Sequence, residues 1–378
     1  DAEPLYLQSL EMRKKLLGDE HPDVAVSLNN LAKLYGNQGR YDDAEPLFLQ
    51  ALEILKKLLG DEHPEVASSL NNLAVLYYHQ GRYDNTESLY LQALEMRKKL
   101  LGDEHPGVAS SLVCLATLYY SQGQYDKAET FCLQGLEMYK KLLGNEHPEV
   151  AFSLNNLAVI YNEQGRYDDA ELLYLQVLEM RKKLLGDEHP YVATSLINLA
   201  SLYNYQGKYN KAETFFLQSL EMLNKLLGDE HPDVATCLHN LASLYKNQGR
   251  YDDAEPLYLQ ALEMRKKLLG DEHPDVATSL NDLAFFYYKQ GRYDQAEPLY
   301  LQSLEMRKKL LGDEHPDVAT SLHNLASLYK DQGKYDQAEP LYLQSLEMRK
   351  KLLGDEHPHT QRTQKSYQAL LEKKKRLR

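Results

Sequence analysis

The chain has 378 residues, of which 26% are charged and 43% hydrophobic, with a formal net charge of −13. That acidic balance opposes nucleic acid and anionic membrane as partners, because both are bound by clustered Lys and Arg that displace counterions, and no apolar run approaches the ~20 residues of a membrane span. Cys114, Cys132 and Cys237 lack C-x-x-C spacing, so they indicate a reducing, cytoplasmic setting and neither a disulfide framework nor a zinc site.

In chain order, residues 1–17 read as a second helix without its first, an uncovered half-repeat. The first residue is Asp1, inside a repeat, so the chain is expected to be a segment of a longer protein. The string Gly-(Asp/Asn)-Glu-His-Pro then recurs every 42 residues, at Gly18, Gly60, Gly102, Gly144, Gly186, Gly228, Gly270, Gly312 and Gly354. Eight full units fill 18–353, and 354–378 are left for a final loop and a capping helix.

Within 18–59, Val24, Leu28, Leu31, Ala32 and Tyr35 follow helical spacing behind Pro22, which suits a first-turn position where its missing N–H is not needed. Gly39 ends that helix. A second opens with the acidic turn Asp42, Asp43, Glu45, presents Ala44, Leu47, Phe48, Ala51 and Leu52, and closes near Lys56 and Lys57, charges that complement the helix dipole at both ends. Pro46 lies near enough to its start to be tolerated. Neither helix covers its apolar face alone, so the pairs must stack, giving an all-α solenoid with local contacts and roughly additive stability. Residues from Thr360 onward form a polar, basic helix that shields the last repeat, and the run Lys373, Lys374, Lys375, Arg376, Arg378 reads as its solvated end.

Leu28, Leu31, Ala32, Tyr35, Ala44, Phe48 and Ala51 resemble the tetratricopeptide signature in order and spacing, with Leu and Ala at the usual Trp and Gly sites. The longer unit is similar to the 42-residue repeats of kinesin light chains, and like arrays in nucleotide-binding signalling proteins of bacteria and fungi. The resemblance implies a right-handed superhelix of antiparallel helix pairs, whose first helices line a concave groove holding an extended peptide or a partner segment. The heptad segment by which kinesin light chains join their heavy chain does not occur here, so no motor role is implied.

The copies can be compared with one another. Leu-Glu-Met-Arg-Lys-Lys-Leu-Leu in the second helix barely changes although part of it must face water, which suggests slight surface drift. First-helix positions change far more. The site of Lys33 becomes Val75, Thr117, Val159, Ser201, Ser243, Phe285 and Ser327, and that of Gly36 becomes Tyr78, Tyr120, Asn162, Asn204, Lys246, Tyr288 and Lys330. Asn37 becomes His79, Ser121, Glu163, Tyr205, Asn247, Lys289 and Asp331. Variation gathers where a ligand would lie, against a rival reading as drift near tolerant loops.

One first-helix row is nearly fixed: Asn30, Asn72, Asn156, Asn198, Asn240 and Asn324, broken by Cys114 and Asp282. An amide donates and accepts, so the row suits the backbone of an extended peptide; equally, each Asn would bond its neighbouring helix and tie repeats together. The resemblance favours the peptide role. Selectivity would then fall to Tyr78, Tyr120, Phe152, Tyr205, Phe285 and Tyr288 with the charges of Lys246 and Lys289. Kinesin light chains hold aromatic-acidic peptides on basic residues, whereas here Lys33, Lys246, Lys289 and Lys330 are set against Glu163, Asp282 and Asp331.

No nucleotide-binding, serine-hydrolase or zinc-protease string occurs, the carboxylates are periodic, and the His-Pro histidines are spaced too far apart to share an ion, so they read as helix caps. The expected protein is no enzyme and takes no cofactor or metal. It is a peptide- or protein-binding scaffold within a larger signalling or adaptor chain, the alternative being self-association through residues 1–17.

Overall fold

A computed structural model describes residues 2–377, and Arg378 of the basic run lies outside them, as does Asp1. The described residues form eighteen α-helices and no strand. α1 spans Glu3–Leu17; pairs follow as α2 (Pro22–Asn37) with α3 (Tyr41–Leu59), α4 (Pro64–His79) with α5 (Tyr83–Leu101), and α6 (Pro106–Ser121) with α7 (Tyr125–Leu143). The same bounds recur every 42 residues through α8 (Pro148–Glu163), α9 (Tyr167–Leu185), α10 (Pro190–Tyr205), α11 (Tyr209–Leu227), α12 (Pro232–Asn247), α13 (Tyr251–Leu269), α14 (Pro274–Lys289), α15 (Tyr293–Leu311), α16 (Pro316–Asp331) and α17 (Tyr335–Leu353), before α18 (Pro358–Leu377).

Each boundary has a local cause. The His21 Nδ1 accepts the Asp23 backbone N–H at 3.1 Å, which satisfies one of the four orphan donors at the start of α2, and Pro22 follows at the first helical position. His63, His105, His147, His189, His231, His273 and His357 repeat that cap. Gly60 ends α3 at φ 84°, a conformation that a side chain would oppose. Its N–H bonds the Lys56 carbonyl. Pro46 sits inside α3 without ending it.

The chain divides into two compact units, Leu143–Lys309 with Asp317–Arg378 forming one and the remainder the other. In the first-numbered unit, Val24, Leu28, Leu31, Phe48, Leu55 and Leu70 pack into one core. In the other, Leu196, Leu199, Phe216, Phe286 and Tyr300 belong to a continuous core shared by successive pairs. Burying each such side chain contributes about 1.5–3 kcal/mol, and no pair could assemble that core by itself. Ala338, Tyr342 and Leu370 form a further cluster beneath α18.

Two clasps recur at the joints between repeats. Glu45 on α3 accepts the Tyr77 hydroxyl at 2.8 Å and both Arg82 contacts at 3.0 Å, while the Arg82 guanidinium lies 3.7 Å over the Tyr77 ring. Glu213, Tyr245 and Arg250 do the same, as do Glu255, Tyr287 and Arg292. The second clasp uses the arginine of the conserved string. Arg97 donates to the Gly107 carbonyl at 3.1 Å and to Ser111 at 2.7 Å, and Arg307 to the Asp317 carbonyl and Ser321.

That second clasp gives the string arginine a structural reason for its constancy, while Glu95, Lys99, Leu100 and Leu101 of the same string are exposed and just as constant from repeat to repeat. Arg307 and Arg349 are only 4% and 3% exposed, so their constancy reflects buried hydrogen bonds and not an idle surface. Burial, then the nearby Arg362, pushes the Arg349 guanidinium down to about 10. Leu55, Tyr139 and Leu223 take the arginine's place in three repeats and are themselves buried.

Candidate functional site

The first helices carry the expected site residues, and their side chains divide into three environments. Of the asparagine row, Asn30 is exposed and Asn72, Asn156, Asn198, Asn240 and Asn324 are half-buried. Two spend an amide on the preceding repeat: Asn198 Nδ2 donates to Asn155 Oδ1 at 2.7 Å, and Asn324 Nδ2 to Asn281 Oδ1 at 3.0 Å. His239 and Asp282 occupy the same pair of positions, Nε2 to Oδ2 at 3.1 Å. These contacts are rungs between successive first helices, the tying role left open by the sequence.

Other members of the row form no rung. Ile197, buried, stands at the rung position 43 residues before Asn240. An apolar side chain accepts no hydrogen bond. Among the described residues the side chains of Asn30, Asn72, Asn156 and Asn240 have no hydrogen-bond partner within the protein and keep their amides for solvent or a ligand.

A second set of rungs joins the variable positions, again 43 residues apart. Tyr78 Oη lies 2.6 Å from Ser121 Oγ, Asn247 Nδ2 donates to Asn204 Oδ1 at 3.1 Å, and Tyr288 Oη donates to Asp331 Oδ2 at 2.5 Å. Part of the variation among copies is therefore pairwise matching between neighbours. Sequence reading missed it; comparing each residue with the one 43 positions later would have revealed it.

The aromatic and cationic residues are unequal. Tyr205 is 68% exposed, while Tyr78, Tyr120, Phe285 and Tyr288 are half-buried. The Tyr120 ring packs 6.0 Å from Tyr125. Lys246 and Lys289 each place Nζ 5.3 Å from the Phe285 centroid, so two of the expected cations flank one expected ring. Burial holds the Lys246 ammonium below its ordinary value, Asp282 opposes that shift, and Lys289 adds to it. Burial acts to raise the Asp282 carboxyl, yet the hydrogen bond and charge of His239, with the Asn281 amide, hold it low.

In the first-numbered unit a cleft of about 230 Å³ opens between α2 and α4, with Ala32, Phe48, Val75 and Leu76 as its apolar lining and Lys33, Asn72 and His79 among its polar residues. Burial drives the Cys132 and Cys237 thiols up to about 12 and raises Cys114, so none offers a ready thiolate. No group of three or more His, Cys, Asp or Glu among the described residues is placed to hold a metal. No helix among them is long and apolar enough to cross a membrane.

The tetratricopeptide repeat family profile matches residues 1–57, 29–99, 65–130, 107–183, 173–225, 191–267, 238–309 and 275–351. The chain is a tetratricopeptide repeat protein. Its repeats are of the kinesin light chain type, and the array is an all-α scaffold of a protein-binding family. The crystal structure of BtubC (BKLC) from P. vanneervenii is similar at 26% identity and a TM-score of 0.51, over 61% of this chain and 92% of that one. Nearly identical repeats described as kinesin light chain from Podosopora anserina share 30% identity over 55% of this tetratricopeptide chain and 98% of their own, with a TM-score of 0.46. A Rap protein complexed with Competence and Sporulation Factor shares the fold at 14% identity and a TM-score of 0.56, over 94% of this chain and 100% of that chain. No curated protein matches the sequence.

Proposed function

We propose that the array is a peptide-binding scaffold whose first helices form the receiving groove and whose unpaired amides hold the backbone of an extended segment. The observation that carries this reading is the contrast within one row. Asn198 and Asn324 are committed to rungs, whereas Asn240 has buried Ile197 at the rung position before it and, like Asn156, keeps both donor and acceptor free. A free, half-buried amide on a rigid helix is already oriented, so binding orders little of the protein. Phe285 between Lys246 and Lys289, with exposed Tyr205 on α10, supplies selectivity for side chains. Such a scaffold serves as the recognition arm of a larger adaptor or signalling protein.

Peptides selected on the intact chain from a random library provide the test. Replacing Asn156 and Asn240 together by Ala should weaken them about tenfold, the loss of roughly two neutral hydrogen bonds, and leave the unfolding midpoint where it was. Unchanged affinity in that double variant removes the reading. Sedimentation at rising concentration checks the other possibility, self-association through α1, whose Leu5, Met12 and Leu16 are exposed.

A further inference from the structure

Charge sets the joint closed by α18 apart from those before it. The residue two after the capping histidine is acidic in most first helices, as at Asp23, Glu65, Glu149, Asp233, Asp275 and Asp317, but α18 carries His359 there. Three positions on, the site of Thr236, Thr278 and Thr320 holds Arg362. One turn of helix has thus lost a negative charge and gained a positive one. Against that turn lies Arg349, only 3% exposed, which donates to the His359 carbonyl at 2.9 Å, to Thr363 at 2.5 Å and to Thr320 at 3.0 Å, all neutral acceptors. Burial lowers this guanidinium and its counterpart Arg265 alike, but Asp275 and Asp282 oppose the shift at Arg265, whereas Arg362 adds to it at Arg349. The His357 ring stands 5.2 Å from that of His359. Burial, then the charges of Arg349 and Arg362, pushes the neighbouring His323 down to about 3. A buried guanidinium without a counter-charge is costly, and a second cation beside it raises that cost.

We propose that this turn binds a phosphate dianion, free or carried as a phosphomonoester, held by the Arg362 guanidinium and the His359 imidazole in the field of Arg349. Both holding side chains are exposed, so the anion reaches them from solvent. Among the described residues no hydrogen bond or ion pair engages the Arg362 side chain, and its forked donors match two phosphate oxygens at once. The His359 ring adds a donor at a third. The bound anion stands where Asp317 and Asp275 place a carboxylate in the preceding repeats, and so restores the charge balance that those joints possess. None of these residues belongs to the proposed peptide groove.

The test follows the phosphorus NMR line width of inorganic phosphate, and separately of methyl phosphate, on titration with the intact chain, chloride holding the ionic strength constant. Saturable broadening is expected. Arg362→Thr and His359→Asp install the residue types of Thr320 and Asp317, which stand at the same positions of α16, so both variants should fold. Each should weaken binding about tenfold or more, the worth of charge-assisted hydrogen bonds. Should His359→Asp lose helix content, Arg362→Thr decides alone. Methyl phosphate bound as tightly as inorganic phosphate assigns the site to a phosphomonoester, and methyl phosphate bound about tenfold more weakly assigns it to the free ion. Broadening that fails to saturate, or that is unchanged in Arg362→Thr, overturns the proposal. Because the site lies on α18, its result is separate from that of Asn156 and Asn240 on α8 and α12.

Discussion

The joints between repeats have two sides built to different rules. On the second-helix side, Glu45, Tyr77 and Arg82 and their counterparts repeat with little change, and the string arginine reaches into the next first helix at Ser111, Ser195 or Ser321. On the first-helix side, the same one-repeat step joins Asn to Asn, His to Asp, Tyr to Ser or Tyr to Asp, or nothing. Uniform joints fix the stacking geometry once for every repeat. The other side is then free to differ, since its rungs add to an arrangement already held.

That comparison can be broken first at the clasp. Arg349→Ala removes a buried guanidinium that bonds the His359 carbonyl, Thr363 and Thr320, and should cost about 2 kcal/mol in urea unfolding. Arg349→Leu should cost less, because Leu55 and Leu223 fill the same site with apolar volume in other repeats. A loss as large in the leucine variant as in the alanine one would make the charge, and not the packing, decisive.

A smaller effect is expected at the rungs. Asn155→Ile copies the Ile197 arrangement, should cost about 1 kcal/mol for the lost hydrogen bond, and releases Asn198. Peptide affinity should rise in this variant if free amides bind backbone. Unchanged or weaker binding would separate the rungs from recognition.

The smallest effect concerns acid. The Arg292 hydrogen bonds, followed by that of Tyr287 and against the opposing effect of burial, hold the Glu255 carboxyl below its usual range. A depressed carboxylate contributes stability above its unfolded pKa of ~4.3, and that contribution fades as pH falls through the lower folded value. Glu255→Gln should therefore flatten the decline in unfolding midpoint from pH 5 downward. An identical acid profile would assign no stability to this ion pair.

Much of the architecture is legible in the residues. Pro22 and Gly39 punctuate the first helix, Val24, Leu28, Leu31 and Tyr35 give its buried face, and the period alone demands stacking. The clasps are not legible, for a physical reason: Glu45 meets residues 32 and 37 positions away, and a set that hardly varies leaves no matched changes to reveal who touches whom. The rungs left such a trace, because Ile197 coincides with unpaired Asn240. The cleft beside Gly36 is legible only as a missing side chain, since Tyr78, Tyr120 and Tyr288 stand at that position in other repeats.

The short reach of the clasps has an evolutionary corollary. Each closes between a residue and others at most 37 positions later, so deleting or duplicating one 42-residue block presents a new junction with the glutamate and tyrosine it requires and, except where Gln124 stands in its place, with the basic residue too. Nearly identical neighbours also invite unequal recombination in the gene. A lineage could thereby lengthen or shorten its array by whole steps, reshuffling which recognition residues stand side by side without having to invent a new way of holding the helices together.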